Sequence, residues 1–564
     1  MYEFATQQIV FDHASHLGDT AFLPRPHTAA STAQAVANAA DASPDNWTAA
    51  LRSWETTQIQ LGVSLQQLGT SLGNQSQFGA WQGQQLKFGD TLQTARSPGR
   101  PQGTSTDEPR QINLAALSQP SHQKHITKKE NSMGWNFETD PEFQKELDWI
   151  TNFVREEVEP LDHVLGNPYD IHNPRHKKIV PTLQEQVKKR GLWACHLGPD
   201  LGGPGYGQLK LALMNEILGR SRFASIVFGC QAPDTGNSEI LAHYGTPELK
   251  ERFLKPLLNN EIVSCFSMTE PHAGADPKMF KCKAVREGDY WVINGEKWFS
   301  SNARWASFLI AMVVTDPEAP PYQSMSMFIV PADTPGINII RNVGIGDERE
   351  DEGDHAYISY EDVKIPADHI LGKAGQGFEV AQTRLGGGRI HHAMRTIGQV
   401  KKSFDLMCER VLSRETQGEV LANKQMAQEK IADSWVEIEQ FRLLVLQTAW
   451  RIDKYQDYRK VRKDIAAVKA QMPKVFHDVA SRALYLHGSL GVSNEMPFSK
   501  QITESFVMGL ADGPTEVHKI TVARQVLREY EKTDGLFPTG HLPALREQAI
   551  KKYGELLELE VGNL

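Results

Sequence analysis

One carboxylate near the end of the chain, Asp512, stands in Gly509-Leu-Ala-Asp-Gly-Pro-Thr-Glu-Val-His518, directly before Gly-Pro and a new apolar-periodic run. A carboxylate so placed can do either of two things. It can cap the helix that follows, since Asp is a favoured N-cap, Pro514 suits the first turn, and Glu516 would lie near the positive end of the helix dipole. Alternatively it can act as a general base towards a substrate held in front of it. The local sequence leaves both open. A second stretch, Leu385-Gly-Gly-Gly-Arg-Ile390, sets Gly386, Gly387 and Gly388 inside a helical pattern just before Arg389. Each glycine costs about 1 kcal/mol there relative to alanine, which suggests close backbone approach by a ligand. His391 and His392 are adjacent, so on a helix they point to different sides and are poorly placed to chelate one metal. The five cysteines (Cys195, Cys230, Cys265, Cys282, Cys408) contain no CxxC pair. They supply no disulfide or metal framework and fit a reducing compartment. No metal site is expected.

The elements that must position these groups change character along the chain. Residues 1–132 are rich in Gln, Ser, Thr, Ala and Gly and sparse in charge, and they end in Pro/Gly/Ser-rich stretches typical of linkers. Helix-compatible segments lie between Pro44 and Gln85, and Met133 reads as a natural start for the core. From Pro141, the residues Phe143, Leu147, Ile150, Val154 and Val158 recur at helical spacing until Pro160. Residues 262–375 turn strand-like. Tyr290–Ser301 is a run of strand formers broken by Asn294-Gly295, a hairpin-turn dipeptide. Long helical patterns return from Gly377 to Tyr530. The expected fold is α+β: an extension (1–132), a helical domain (133–261), a β domain (262–375), a helical bundle (376–530) and a tail (531–564).

A chain of 564 residues exceeds one ordinary core, and its 40% hydrophobic and 23% charged content is that of a globular protein. The net charge of -9 speaks against nucleic acid and anionic membranes as partners. No apolar run approaches the roughly 20 residues of a membrane span. The first twenty residues hold Glu3, Asp12 and Asp19 and no Lys or Arg, so neither a secretory nor a transit signal is expected and the cytoplasm is the default.

The order of these elements, with Leu201–Gly207 (LGGPGYG), His243–Leu258, Phe266–Asp276 (FSMTEPHAGAD) and Ile293–Ala303 (INGEKWFSSNA), resembles the acyl-CoA dehydrogenase family over about residues 135–530. Leu484–Val492 and Leu510–His518 resemble the subgroup of family members ten and eleven, where Ala-Asp-Gly-Pro replaces the usual Tyr-Glu-Gly. The kinase-like domain that the animal members carry is not found in this sequence, so no function that depends on it is carried over.

The resemblance implies an N-terminal helical domain, a middle β-barrel domain and a C-terminal four-helix bundle. It implies FAD as cofactor, an acyl-CoA substrate, an electron-transfer flavoprotein as acceptor and a homodimer or homotetramer. In the family a carboxylate takes the α-proton while a hydride leaves the β-carbon for flavin N5, and the thioester carbonyl is polarised by the ribityl chain and by the base's own N–H. Burial can raise the base's pKa towards that of the activated substrate. Asp512 matches the base, Gly513 beside it is expected to contact substrate, and Arg389 matches an arginine behind the site that supports the base loop and the substrate. The alternative base position falls on Gly388, so no rival carboxylate stands there. Phe266, Met268 and Thr269 match flavin contacts. Phe299 replaces a tryptophan beside the ring, and Ser301 replaces a threonine whose hydroxyl faces N5, keeping the donor. Ala275 replaces a serine that touches substrate and flavin. At the adenine end, Arg414 matches an arginine reaching a neighbouring subunit's dinucleotide, and Gln417 replaces an aromatic residue. Tyr485, Gly488 and Gly491 occupy the position of a glycine-rich loop, and Glu516 replaces a glutamine. Glu270 and Pro271 are expected to be structural, and the acidic run 346–355 a solvated connection whose His355 could approach the substrate mouth. Two other readings share the fold: a flavin oxidase of the nitroalkane type, and a scaffold without catalysis.

Overall fold

In the computed structural model, helix α1 (Pro141–Phe153) opens with a proline in its first turn and with the Asp140 carboxylate accepting from Phe143 N at 2.9 Å. A π-helical segment, Val154–Val158, extends it, and all five residues of the predicted apolar stripe are buried. The structure describes residues 137–349 and 352–561. The extension at 1–132 and its helix-compatible segments lie outside the described residues.

Helices α2 (Pro174–Lys189), α3 (Gly207–Leu218) and α4 (Asp234–Tyr244) complete the first helical part. A seven-stranded sheet follows: β1 (Ser264–Ser267), β2 (Lys283–Glu287), β3 (Tyr290–Ser301), β4 (Phe308–Val314), β5 (Met325–Pro331), β6 (Ile337–Val343) and β7 (His355–Pro366). Its ladder runs β1-β4-β2-β3-β7-β6, with β5 antiparallel to β4. The unbroken apolar run of β4 has a physical reason, because both of its faces are covered. Phe308, Ile310 and Met312 join Ile240, Leu241 and Val380 from the helices, while Leu309, Ala311 and Val313 pack with Ile293, Ile358 and Tyr360 across the sheet.

The Asn294-Gly295 turn signal is not a turn. β3 continues through it, and the register against β7 shifts between Ile293 and Gly295, so the pair forms a bulge. Gly295 takes φ +140°, and a Cβ there would lie 2.6 Å from Cys282 Cα. The asparagine amide, which a hairpin would expose, instead exchanges hydrogen bonds with Asp362 of β7 at 3.0 and 2.9 Å.

The long helices of the last part are α5 (Gly377–Ser413), α6 (Gln425–Tyr455), α7 (Arg462–His487), α8 (Phe498–Leu510) and α9 (Thr515–Leu527), with one short turn of helix, Ser489–Val492, between α7 and α8. Between α5 and α6 lies a small hairpin, β8 (Glu415–Thr416) and β9 (Glu419–Val420). A further helix, α10 (Leu542–Val561), falls within the predicted tail. Residues of α1–α3 and of α5–α7 share one core that includes Phe153, Phe228, Met394, Phe441 and Phe476. No helix of the described residues is long and apolar enough to cross a membrane.

Candidate active site

Helix α5 carries the three glycines past three different neighbours. A Cβ on Gly386 would meet the Tyr458 ring at 3.3 Å, one on Gly387 would meet Glu239 Oε2 at 3.2 Å, and one on Gly388 would meet Asp512 Oδ2 at 3.3 Å. The close approach predicted for a ligand is thus made by side chains of the protein itself: two carboxylates and a tyrosine lie on successive glycines.

Asp512 sits in the turn between α8 and α9 with φ +55°, an unusual value for a non-glycine residue and one that Asp tolerates better than most. It is not the cap. The N-cap position of α9 is Pro514, and no side chain caps that helix. The Asp512 backbone carbonyl is pinned instead, accepting from Arg389 Nε at 2.9 Å and from His518 Nε2 at 3.2 Å. Burial pushes His518 down to about 4, so at neutral pH its ring is uncharged and Nε2 donates as an N–H. The carboxylate itself is 15% exposed, with Arg384 Nη1 at 3.9 Å and His392 Nε2 at 3.8 Å.

Burial is the largest single influence on the Asp512 carboxyl and pushes it up, but the net shift is opposite to the expected rise. His392, Arg384, Arg389 and Lys469 together outweigh it and hold the group below the usual carboxylate range. His392 is itself pushed down to about 4 by burial and by Arg395, so at neutral pH the two arginines and the lysine do this work. Lys469, buried on α7, is pushed down to about 8 by desolvation and donates to Met508 O at the end of α8.

Two residues of this cluster escaped the sequence reading. Arg384 donates to Asn237 Oδ1 of α4 at 2.9 Å and lies over the Phe266 ring at 3.9 Å, so it links helix, sheet and base. Glu239, also on α4, is pushed up to about 7 by burial against the pull of Arg384, and makes no hydrogen bond or ion pair among the described residues. Each reads locally as a charge on a helix surface. The available signal was glycine, because Gly236 makes room for Arg384 (a Cβ there would lie 2.7 Å from its Cγ) and Gly387 makes room for Glu239.

On the sheet side, Phe266, Met268 and Thr269 follow one another at the end of β1, all partly buried. The loop after them is tied down by Glu270. Its carboxylate accepts from Lys281 N at 2.7 Å, Cys282 N at 3.0 Å and Lys297 Nζ at 3.0 Å, and Lys297 also donates to Met268 O at 2.8 Å. Phe299 takes φ +53° at a second bulge of β3, leaves its ring 40% exposed and stacks on His355 at 4.9 Å. Ser301 Oγ lies 2.8 Å from His355 Nδ1. Ala275 is exposed in its loop.

The residues predicted for the adenine end stand apart from this group. Arg414 and Gln417 are exposed on the β8–β9 hairpin, and Gln417 takes φ +52°. Tyr485 is 74% exposed near the end of α7, and Gly488 closes that helix at φ +64°. Gly491 packs against Leu484 O, where a Cβ would lie at 2.2 Å, and Glu516 is exposed in the first turn of α9. Among the described residues no hydrogen bond or ion pair joins them to Phe266, Ser301 or Asp512. No group of three or more His, Cys, Asp or Glu among the described residues is arranged to hold a metal ion.

Comparison with known proteins adds the following. Residues 140–261, 265–361 and 375–527 match the family models described as the N-terminal, middle and C-terminal domains of acyl-CoA dehydrogenase. The chain is 38% identical over 412 residues to "Acyl-CoA dehydrogenase family member 11" of Gallus gallus, covering 71% of this chain and 52% of that protein. It is 36% identical over 448 residues to "Acyl-CoA dehydrogenase family member 10" of Mus musculus, covering 78% and 41%. The chain therefore spans about half the length of these animal relatives. It covers 93% of "Probable acyl-CoA dehydrogenase FadE2" of Mycobacterium tuberculosis, at 38% identity over 385 residues and 66% of this chain. A solved Mycobacterium abscessus structure with an acyl-CoA dehydrogenase designation is 36% identical, with a TM-score of 0.65, and covers 70% of this chain and 100% of that one.

Proposed function

Because the chain belongs to the acyl-CoA dehydrogenase family, we propose that it removes two hydrogens from the α,β-bond of an acyl-CoA thioester with FAD bound, Asp512 taking the α-proton. The observation that carries this reading is Arg384. Its guanidinium stands 3.9 Å from the Asp512 carboxylate and 3.9 Å from the centre of the Phe266 ring, so the candidate base and the candidate flavin-contacting motif converge on one side chain.

The residues present fit a flavin. Phe299 is a large aromatic held at a left-handed φ and partly open, two residues before Ser301, and the segment of Phe266, Met268 and Thr269 is joined to the same strand by Trp298 N donating to Thr269 O at 2.8 Å. These would hold the ring, with Arg414, Gln417, Tyr485, Gly488, Gly491 and Glu516 serving the adenine end. The bound cofactor supplies the hydride acceptor.

The protein's own groups then do the rest. Nothing among the described residues accepts a hydrogen bond from the Asp512 N–H, which leaves it for the thioester carbonyl. Arg389 and His518 hold the Asp512 carbonyl, in the next peptide unit, so donor and base share one pinned loop. A base held below the usual carboxylate range needs an activated α-proton, and carbonyl polarisation provides the activation. Asp is one methylene shorter than Glu, so the pocket suits branched, ring-bearing or long acyl chains. Electrons pass to an electron-transfer flavoprotein. Arg414, on its exposed hairpin, reaches the dinucleotide of a neighbouring subunit in a homodimer or homotetramer.

The test is an anaerobic titration of the purified protein with acyl-CoAs of varied length and branching, following the visible flavin band. Bleaching by an acyl-CoA is expected. A yellow protein that only a nitroalkane bleaches overturns the dehydrogenase reading in favour of an oxidase, and a protein that takes up no FAD leaves only a scaffold.

A further inference from the structure

Among the described residues Arg384 makes one hydrogen bond, from Nε to Asn237 Oδ1 at 2.9 Å. The asparagine itself makes no hydrogen bond to Asp512 or Phe266 among those residues. It sits in the first turn of α4, fully buried, and its Nδ2 donates to Ser264 Oγ at the start of β1, at 2.8 Å. Ser264 Oγ in turn donates to Asp234 Oδ1 at 2.5 Å, and the Ser264 N–H donates to the same oxygen at 2.9 Å. Gln231 Nε2 donates to the other Asp234 oxygen at 3.1 Å. One chain of hydrogen bonds therefore runs from a buried carboxylate, through α4 and β1, to the guanidinium beside the candidate base.

The direction of each bond follows from the chemistry of the groups. A guanidinium has only N–H groups to offer, so the asparagine must turn its oxygen to Arg384. The other end of the amide can only donate, which makes Ser264 Oγ the acceptor there and sends its single proton to Asp234. Asp234 meets three donors. Burial pushes it up to about 6, still below neutral pH, so it is mostly ionised there and accepts all three. The amide is thus locked from behind, and it gives Arg384 one fixed point. The other contacts of Arg384 are looser: Nη1 lies 3.9 Å from Asp512 Oδ1, and the guanidinium carbon lies 3.9 Å from the centre of the Phe266 ring. Gly236 leaves the space in which the arginine stem lies, since a Cβ there would be 2.7 Å from Arg384 Cγ.

Resting on the reading that Asp512 is the base, we propose that Asn237 is a positioning residue for the reaction, its locked amide holding Arg384 between the base and β1. Without the amide oxygen the guanidinium has another carboxylate to turn to, because Glu239 of the same helix also feels its charge. Asp512 then loses part of one positive neighbour. The other charged or titratable groups that face Asp512 are Arg389 and His392 of α5, Lys469 of α7 and His518 of α9. Among the described residues none of these hydrogen-bonds to Asn237, so the effect of the asparagine runs through Arg384.

The experiment follows flavin reduction by an acyl-CoA in the FAD-loaded protein, using stopped-flow absorbance between about pH 4 and pH 9. Wild type is compared with Asn237→Ala, Arg384→Met and the double variant. Arg384→Met is expected to move the acid limb of the rate up by about one pH unit, the scale on which an opposite charge beside a carboxylate acts, and Asn237→Ala by about half as much in the same direction. In the Arg384→Met background Asn237→Ala is expected to leave the limb where it stands. An asparagine that only supports the fold would lower stability or rate alike at every pH and move no limb. Ser264→Ala, which unlocks the amide from behind, is a second route should Asn237→Ala fold poorly, and its shift is expected to be smaller and of the same sign. An unmoved limb in Arg384→Met, or in whichever of Asn237→Ala and Ser264→Ala folds, would overturn the inference while leaving the dehydrogenase reading intact. Equal shifts by Asn237→Ala with and without Arg384 would do the same. An acid limb that persists in the residual rate of Asp512→Asn would overturn the base assignment and the inference with it.

Discussion

Glu270 and Lys297, on the sheet side of the site, meet at 3.0 Å, and both are buried. Asp512, on the helix side, stands 3.8–3.9 Å from His392 and Arg384, and Glu239 faces a glycine with no partner among the described residues. Both regions concentrate charge away from water, yet they settle it differently. The sheet side satisfies each oxygen and so holds a loop in place. The helix side leaves carboxylates short of contact, and their proton affinities move in opposite directions: Asp512 down under its surrounding cations, Glu239 up through burial. One arrangement resists motion, whereas the other keeps protons transferable.

The sharpest break falls on the reactive side. Asp512→Asn keeps the size of the side chain and removes the base. Flavin reduction by the best acyl-CoA is expected to fall about 10³–10⁴-fold, with FAD still bound, as measured by stopped-flow absorbance. Turnover near the wild-type rate would transfer the role of base to another group.

The same comparison predicts the reverse outcome on the sheet side. Lys297→Met removes one partner of a buried pair and leaves Glu270 ionised without it, which costs about 3–5 kcal/mol. Denaturant unfolding should show that loss, while any protein that still folds should reduce its flavin at close to the normal rate. If the variant lost rate but not stability, the pair would belong to the chemistry and the contrast would fail.

Much of the fold was legible because burial leaves a period in the sequence. Phe143, Leu147, Ile150, Val154 and Val158 read as a helix face, and the region 262–375, with its Phe308–Val314 run, reads as strand. Asn294-Gly295 misled because the conformation that makes this dipeptide good at turns also suits a bulge, and only the partner strand decides between them. The site was legible where a motif spans consecutive residues, as in Phe266–Thr269. Its electrostatics were not. Arg384 and Glu239 are ordinary helix charges until folding places Gly236 and Gly387 against them, and the lowering of Asp512 needs Lys469, Arg384 and Arg389 from two further helices. Such sums exist only in three dimensions.

A pH experiment sharpens the contrast between the two carboxylates. Glu239 is raised from an ordinary 4.5 to about 7 in the folded protein, so the folded state holds its proton more tightly than the unfolded chain does. Any stability tied to that proton is present below about pH 4.5, declines as pH rises to about 7, and is flat beyond. Glu239→Gln removes the dependence. Relative to wild type its melting temperature should climb between pH 5 and 7 and then level off, with a total gain of about 1–2 kcal/mol once residual solvent screening is allowed for. A difference that stays constant across this range would mean that Glu239 is ionised throughout, and that the helix side is as well satisfied as the sheet side.

The smallest expected effect separates stability from chemistry at a single atom. Gly388→Ala puts a methyl group 3.3 Å from Asp512 Oδ2, a distance at which a side chain must yield by a few tenths of an ångström. A carboxylate can rotate by that much, so the helix should keep most of what alanine offers over glycine inside α5, about 0.5–1 kcal/mol. The base, however, then sits off the line it holds in the native turn, and proton transfer is sensitive to such displacements. A more stable protein with flavin reduction slowed several-fold is the expected result, read from thermal melting and stopped-flow traces on the same preparation. If both improved together, the glycine would be leaving stability and rate unused, and the room beside Asp512 would serve something other than the base. If both fell, the carboxylate could not move, and the helix side would be as tightly fixed as the Glu270–Lys297 pair.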